Sequence, residues 1–140
     1  MDINECISLG YLKKIKPALD LIEKEIKESE YDLNVAQKSF NDKDYKWAIV
    51  KAYYSIFHSS RSVLFKLGLQ EKKHFAINIV LEDLNKKGKL ESKYLSYFNA
   101  ALSSREDADY HYIYSKERAE HIIGLAKEFY RRINELIKKL

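Results

Sequence analysis

The sequence predicts an all-α fold, one helical bundle, and three observations predict it. Turn chemistry is scarce: 140 residues contain one proline and four glycines, too few for a β-rich chain that must turn every ten residues or so. Lys, Glu, Leu, Ile and Ala are abundant, a composition that favours helix before any periodicity is counted. Apolar residues also recur at three- and four-residue spacing through most of the chain, in five or six segments separated by brief breaks. Short breaks between such segments predict antiparallel neighbours.

The first 16 residues read as a short N-terminal helical extension, with Ile3, Ile7, Leu12 and Ile15 as its apolar positions. Pro17 suits the first turn of the next helix, where its missing N–H is no loss. Along that first long helix Leu19, Ile22, Ile26, Leu33, Ala36 and Phe40 mark one face, and it should stop in Asn41-Asp42-Lys43-Asp44, a cluster that also supplies an N-cap for the second long helix. That second helix, about Tyr45 to Leu67, differs in kind. Trp47, Ala48, Ile49, Val50, Ala52, Tyr53, Tyr54, Ile56, Phe57, Val63, Leu64, Phe65 and Leu67 cover most of its circumference, so it belongs in the middle of the bundle. A narrow polar stripe, Lys51-Ser55-Ser59-Ser62 with His58 beside it, is expected to stay uncovered by the rest of the chain and to face a partner. Gly68 reads as its C′ residue.

A shorter helix comes next, with Ile77, Val80, Leu81 and Leu84 on one face, ending at Lys86-Lys87-Gly88. Its successor carries Tyr94, Leu95, Phe98, Ala101 and Leu102, and its pattern continues to Arg105 and Ala108. After a tyrosine-rich connection, Tyr110 to Tyr114, Ser115 is the N-cap of the last helix, with Glu117 in its first turn. Ala119, Ile122, Ile123, Ala126, Phe129, Ile133, Leu136, Ile137 and Leu140 form the last helix's apolar stripe.

Length and charge bound the function classes. The chain fits a single domain, 1–140, which should bury roughly two-thirds of its unfolded surface. The net charge of +4 is spread among acids along most helices, so it permits nucleic acid without calling for it. Cys6 is the one cysteine, which excludes a disulfide framework and a cysteine-built metal site. The start Met1-Asp2-Ile3-Asn4-Glu5 lacks the features of a signal peptide, and no apolar stretch approaches the roughly 20 residues of a membrane span. A cytoplasmic protein without membrane contact is the expectation. No phosphate-binding glycine loop, HExxH, GxSxG or EF-hand pattern is present. The nearest approaches to a di-iron Glu-x-x-His pair are Glu71/His74 and Glu117/His121, the second with the wrong spacing, so neither metal nor cofactor is expected.

The stretch richest in reactive groups is Arg105-Glu106-Asp107-Ala108-Asp109-Tyr110-His111. Arginine holds phosphate oxygens and stabilises charge developing on them, and histidine takes a proton from a ribose 2′-hydroxyl near neutral pH. Together they are a minimal metal-free apparatus for cleaving RNA. Arg105 and Asp109 are also four residues apart, and by spacing alone a helix-end ion pair is the commoner arrangement. His58, in the polar stripe, is more often a core or interface histidine than a catalytic one, and Lys51 lies in the same stripe. Tyr110 and Tyr112 could stack on bases, although tyrosine at helical spacing is more often core.

These residues together resemble a known family. Trp47-Ala48-Ile49-Val50-Lys51-Ala52-Tyr53-Tyr54-Ser55-Ile56-Phe57-His58-Ser59-Ser60-Arg61-Ser62-Val63-Leu64-Phe65 resembles the central A-Y-Y-x-x-F-H-x-A-R-x-L-L helix of HEPN domains (higher eukaryote and prokaryote nucleotide-binding). Arg105-x-x-Ala108-Asp109-Tyr110 resembles the R-x-x-A-D-Y of one prokaryotic branch, and Lys86-Lys87-Gly88-Lys89-Leu90 that branch's K-x-G-K-L connection. The resemblance covers roughly Ile22 to Leu136. It implies an up-and-down bundle of four to five antiparallel helices that forms a homodimer. It further implies a toxin–antitoxin pair with a minimal nucleotidyltransferase as partner. Active relatives are metal-independent endoribonucleases with Arg, four to six residues, then His, just before the last long helix, and two subunits bring these copies together across the dimer cleft. Carried over, Arg105 anchors the scissile phosphate, His111 acts as base or acid, and Asp109 orients one of them. Tyr110, Tyr112, His58 and Lys51 contact RNA or nucleotide. Where a partner enzyme modifies such toxins, a tyrosine stands two after the histidine; here Ile113 occupies that place, between Tyr112 and Tyr114. The alternative reading is a non-catalytic nucleotide- or protein-binding dimerisation module.

Overall fold

A computed structural model describes the whole chain, Met1–Leu140. The elements run α1 (Ile3–Ser8), β1 (Leu12–Lys14), α2 (Leu19–Asn41), α3 (Tyr45–Lys66), β2 (Leu69–Glu71), α4 (Phe75–Lys86), α5 (Ser92–Tyr110) and α6 (Lys116–Ile137). The fold is the expected all-α bundle, with one addition.

That addition is a two-stranded antiparallel ribbon pairing Leu12 with Glu71 and Lys14 with Leu69. Residues 1–16 are therefore not one helical extension. Helix α1 ends at Ser8, the turn through Gly10 closes with the Tyr11 N–H on the Cys6 carbonyl at 2.8 Å, and the chain then extends into the ribbon. The expected helical positions Leu12 and Ile15 instead serve the ribbon: Leu12 is buried, and the Ile15 N–H donates to the Gly68 carbonyl at 2.9 Å. Pro17 also falls outside its expected place, because α2 begins at Leu19 with Ala18 as an extended N-cap. Asp44 and Ser115 cap α3 and α6 as read, each accepting a backbone N–H three residues on at 3.1 Å.

Helix α3 runs through the middle, with Ala48, Ile49, Ala52, Tyr53, Ile56, Val63 and Leu64 inside the core. Its main neighbours are α2, α6 and α5, and α2 and α6 also touch each other. The stripe expected to stay uncovered does not: Ser55, Ser59 and Ser62 are all buried, the first two against Ser29 of α2. The Ser29 hydroxyl on α2 donates to the Ser55 carbonyl at 2.7 Å and lies 2.6 Å from the Ser59 hydroxyl. Serine is polar, but it is also small. Here its size lets two helices approach closely while its hydroxyl finds a partner inside. Conversely Trp47, read as part of the buried circumference, is about half exposed, and Leu19 is well exposed. Helix α6 buries the stripe read for it, from Ala119 to Leu136. None of the helices is long and apolar enough to cross a membrane.

Candidate functional site

The last turn of α5 sets up the site. Ser104 and Ala108 point into the bundle and are buried, so positions 105 and 109 share one flank of the helix and 107 and 111 another. On the first flank Arg105 lies against α3. Its Nε donates to Asp109 Oδ2 at 3.0 Å, and its Nη2 reaches the Tyr54 hydroxyl oxygen at 3.4 Å. The guanidinium sits 5.6, 5.7 and 5.8 Å from the ring centres of Tyr53, Tyr54 and Tyr110, a cage of π-faces suited to a cation. Burial works against the Arg105 charge, yet the Tyr54 and Tyr110 phenols and the Asp109 carboxylate raise its pKa still further. The side chain is 19% exposed.

On the second flank His111 ends the helix as its C-cap. Its Nδ1 is 3.1 Å from Asp107 Oδ1, while Asp107 Oδ2 meets Arg118 Nη2 from α6 at 2.8 Å. Arg118 in turn donates from Nε to the buried Ser104 hydroxyl at 3.0 Å. The hydrogen bond from His111, reinforced by Arg118, holds the Asp107 carboxyl below the usual carboxylate range. The backbone then reverses at Tyr112, which adopts φ 57°, and the Ser115 cap starts α6. The imidazole of His111 is 62% exposed.

Tyr110, Tyr112, Ile113 and Tyr114 all project to solvent here, and Lys46 of α3 lies 5.6 Å over the Tyr112 ring. Four grooves mark the surface, the widest about 380 Å³ between α2 and α6 at Phe40, Ile123 and Gly124. None of them is lined by Arg105 or His111, so the site of one chain is an open face rather than a pocket.

Of the residues singled out from sequence, the structure joins Arg105, Asp109 and Tyr110 in one cluster and sets His111 and Tyr112 beside it. Lys51 and His58 are engaged with the acidic flank of α2. Lys51 Nζ is 3.4 Å from Asp32, and His58 lies between Glu25 at 2.6 Å and Asp32 at 3.6 Å. Burial raises the Asp32 pKa against the pull of Lys51. Glu28, Asp32 and His58 offer oxygen and nitrogen atoms within 4.8 Å of one another, but the ammonium of Lys51 already supplies positive charge there. Three further residues complete the site without a role expected from sequence: Tyr54, Asp107 and Arg118. Asp107 had a signal, the same four-residue spacing to His111 that Arg105 has to Asp109.

Over residues 22–136 the chain matches the family model of the HEPN domain. A Methanocaldococcus jannaschii protein bearing the name "Putative toxin MJ0605" is 33% identical over 119 residues, spanning 80% of this chain and 85% of that protein. A second from the same organism, "Putative toxin MJ0142", is 28% identical over 105 residues, spanning 73% of this chain and 71% of its own length. Among solved structures, TT1696 from Thermus thermophilus shares the fold at a TM-score of 0.71 and 18% identity, over 82% of this chain and 97% of that one.

Proposed function

The chain belongs to the HEPN domain family, and on that footing we propose that it is a toxin acting as a metal-independent endoribonuclease, with Arg105 and His111 as its catalytic pair. One observation carries the reading: the two groups sit at the same end of α5, each held by its own carboxylate. Arg105, fixed and permanently charged, binds the non-bridging oxygens of the scissile phosphate and stabilises the charge that builds on them. His111 accepts the proton of the neighbouring 2′-hydroxyl as that oxygen attacks phosphorus. The 2′-O–P bond forms and the P–O5′ bond breaks. The departing 5′-oxygen takes a proton from the imidazolium of a second copy's His111. The products are a 2′,3′-cyclic phosphate and a free 5′-hydroxyl. Tyr110 and Tyr112, exposed beside the pair, supply faces on which unpaired bases stack.

The openness of the single-chain site supports a homodimer in which two such faces enclose the RNA. Light scattering at micromolar concentration tests it, and a monomer would remove the composite site. The toxin names of the relatives support an antitoxin, of minimal nucleotidyltransferase class, encoded next to this chain and co-purifying with it.

RNA cleavage by the purified protein in EDTA tests the activity. Arg105→Ala and His111→Ala should each lose roughly a hundredfold or more, and wild-type products should carry cyclic phosphate ends. Equal cleavage by all three proteins ends the catalytic reading. A second reading, a non-catalytic nucleotide- or protein-binding module, draws on the engagement of Arg105 by Asp109 and Tyr54. It predicts an inactive wild type that still binds nucleotide or antitoxin.

A further inference from the structure

We propose that Asp107 is a positioning residue that fixes His111 in its Nδ1–H tautomer and leaves Nε2 as the nitrogen that exchanges protons with RNA. The inference rests on the endoribonuclease reading for its catalytic consequence, though the geometry behind it does not.

Asp107 Oδ1 lies 3.1 Å from His111 Nδ1. An ionised carboxylate only accepts hydrogen bonds, so Nδ1 must carry the hydrogen. A free histidine side chain ordinarily prefers the opposite tautomer, with its hydrogen on Nε2 and Nδ1 as the basic atom. The contact therefore moves the lone pair to the outer edge of the ring, the edge an approaching 2′-hydroxyl meets. When Nε2 takes the proton, the Nδ1–H···carboxylate contact becomes an ion pair, which favours the charged state formed in the reaction.

An isolated carboxylate and histidine four apart on a helix end would be a loose surface pair of small value. Asp107 is not loose. Its second oxygen is held by Arg118 at 2.8 Å, and Arg118 is anchored on the buried Ser104 hydroxyl at 3.0 Å. Its backbone carbonyl receives two further N–H groups, from His111 at 3.1 Å and Ile113 at 2.9 Å. A line of contacts thus runs from the core through Ser104, Arg118 and Asp107 to an exposed imidazole. Arg105 has a separate holder in Asp109, so each member of the pair is aimed independently.

The Arg118 contact makes the substitution Asp107→Asn informative. Arg118 needs an acceptor, so the asparagine oxygen turns to it and the NH2 group turns to His111. Nδ1 must then accept, and the tautomer flips. Arg118→Gln removes the clamp but keeps the carboxylate, so it should leave the tautomer unchanged.

The test is a long-range proton–nitrogen correlation spectrum of the full chain labelled with ¹⁵N-histidine at about pH 8, where histidine is neutral. His111 is assigned by comparison with His111→Gln. Wild type should show the Nδ1–H pattern for His111, and Asp107→Asn the Nε2–H pattern. RNA cleavage by Asp107→Asn should lose roughly ten- to a hundredfold or more in kcat with KM within about twofold. An Nε2–H tautomer in wild type overturns the proposal, and it is read without any variant. So does an unflipped tautomer in folded Asp107→Asn, or an unchanged kcat in that variant. If wild type is Nδ1–H and the variant flips, but no protein cleaves RNA, Asp107 holds its assignment and the endoribonuclease reading fails alone.

Discussion

The hydroxyl of Ser29 on α2 lies 2.6 Å from that of Ser59 on α3, with both residues buried. The Ser29 hydroxyl donates to the Ser55 carbonyl and lies 3.1 Å from the Ser55 hydroxyl, so three polar groups share one partner between the two helices. Ser29→Ala removes that partner and leaves buried hydroxyls unpaired. It should lower the unfolding free energy by about 1–3 kcal/mol. Ser59→Leu should cost about as much or more by forcing the helices apart. Urea denaturation of the three proteins measures both. A Ser29→Ala protein as stable as wild type would show that the serine contact does not hold the helices together.

On the endoribonuclease reading, the shape of the Arg105 fork should matter as well as its charge, since Nε is used on Asp109 and Nη2 reaches Tyr54. Arg105→Lys keeps the charge and loses the fork. RNA cleavage should fall by about tenfold or more. Tyr54→Phe deletes a contact of 3.4 Å, long for a hydrogen bond, and should change the rate by no more than about threefold. If lysine restored full activity, Arg105 would act as a point charge only.

Much of this fold was legible because its signals are local. The near-continuous apolar circumference of α3, the stripe of α6, and the caps at Asp44 and Ser115 each lie within a few residues of what they determine. The ribbon was not legible. Its strands, Leu12–Lys14 and Leu69–Glu71, are three residues each and pair across the intervening α2 and α3, so no local period marks them. The serines of α3 mislead because their polarity suggests exposure, while the packing against α2 uses their small size. Arg105 and Asp109 were legible as an i, i+4 pair. Asp107 and His111 have the same spacing, but what makes that pair firm is Arg118, from a different helix, and only the folded chain brings it there.

Tyr53 is fully buried beneath Arg105, and its hydroxyl has no hydrogen-bond partner. Burial pushes its phenol up to about 12, against the pull of Arg105. An unpartnered buried hydroxyl has lost its water for nothing in return. Tyr53→Phe should therefore be neutral or stabilising by up to about 1–2 kcal/mol, whereas Tyr53→Ala should cost about 3–5 kcal/mol through the cavity. Thermal unfolding distinguishes them. A marked loss in Tyr53→Phe would mean that the hydroxyl has a partner in solution.

Asp107 links the site to acid stability. The His111 hydrogen bond, with Arg118 behind it, lowers its folded pKa from the ordinary 3.8. A depressed carboxylate contributes stability that is complete above the unfolded value and is lost as pH falls through the folded one. Wild type should thus unfold at a higher temperature than Asp107→Asn at about pH 6, and the gap should close towards about pH 2. A gap of constant size across that range would mean that the Asp107 charge does not contribute to it.

Gly68 and Gly88 share a left-handed backbone, with φ +74° and +73°, yet stand in different surroundings. A Cβ at Gly68 would lie 3.0 Å from the Ile15 carbonyl oxygen and 3.4 Å from Pro17 Cγ, while one at Gly88 would meet nothing within 4 Å. Alanine at either position bears the left-handed cost of roughly 1–2 kcal/mol. At Gly68 it must also push away the backbone of residue 15, whose N–H bonds to the Gly68 carbonyl at 2.9 Å. That displacement loosens the ribbon and the N-terminal segment it anchors, in which Cys6 and Leu12 are buried. Gly68→Ala should therefore lose about 1 kcal/mol more than Gly88→Ala. It should also expose the Cys6 thiol to an aromatic disulfide reagent, which Gly88→Ala should not. Equal losses with an unreactive thiol in both would mean that the N-terminal segment yields to the methyl group without leaving its place.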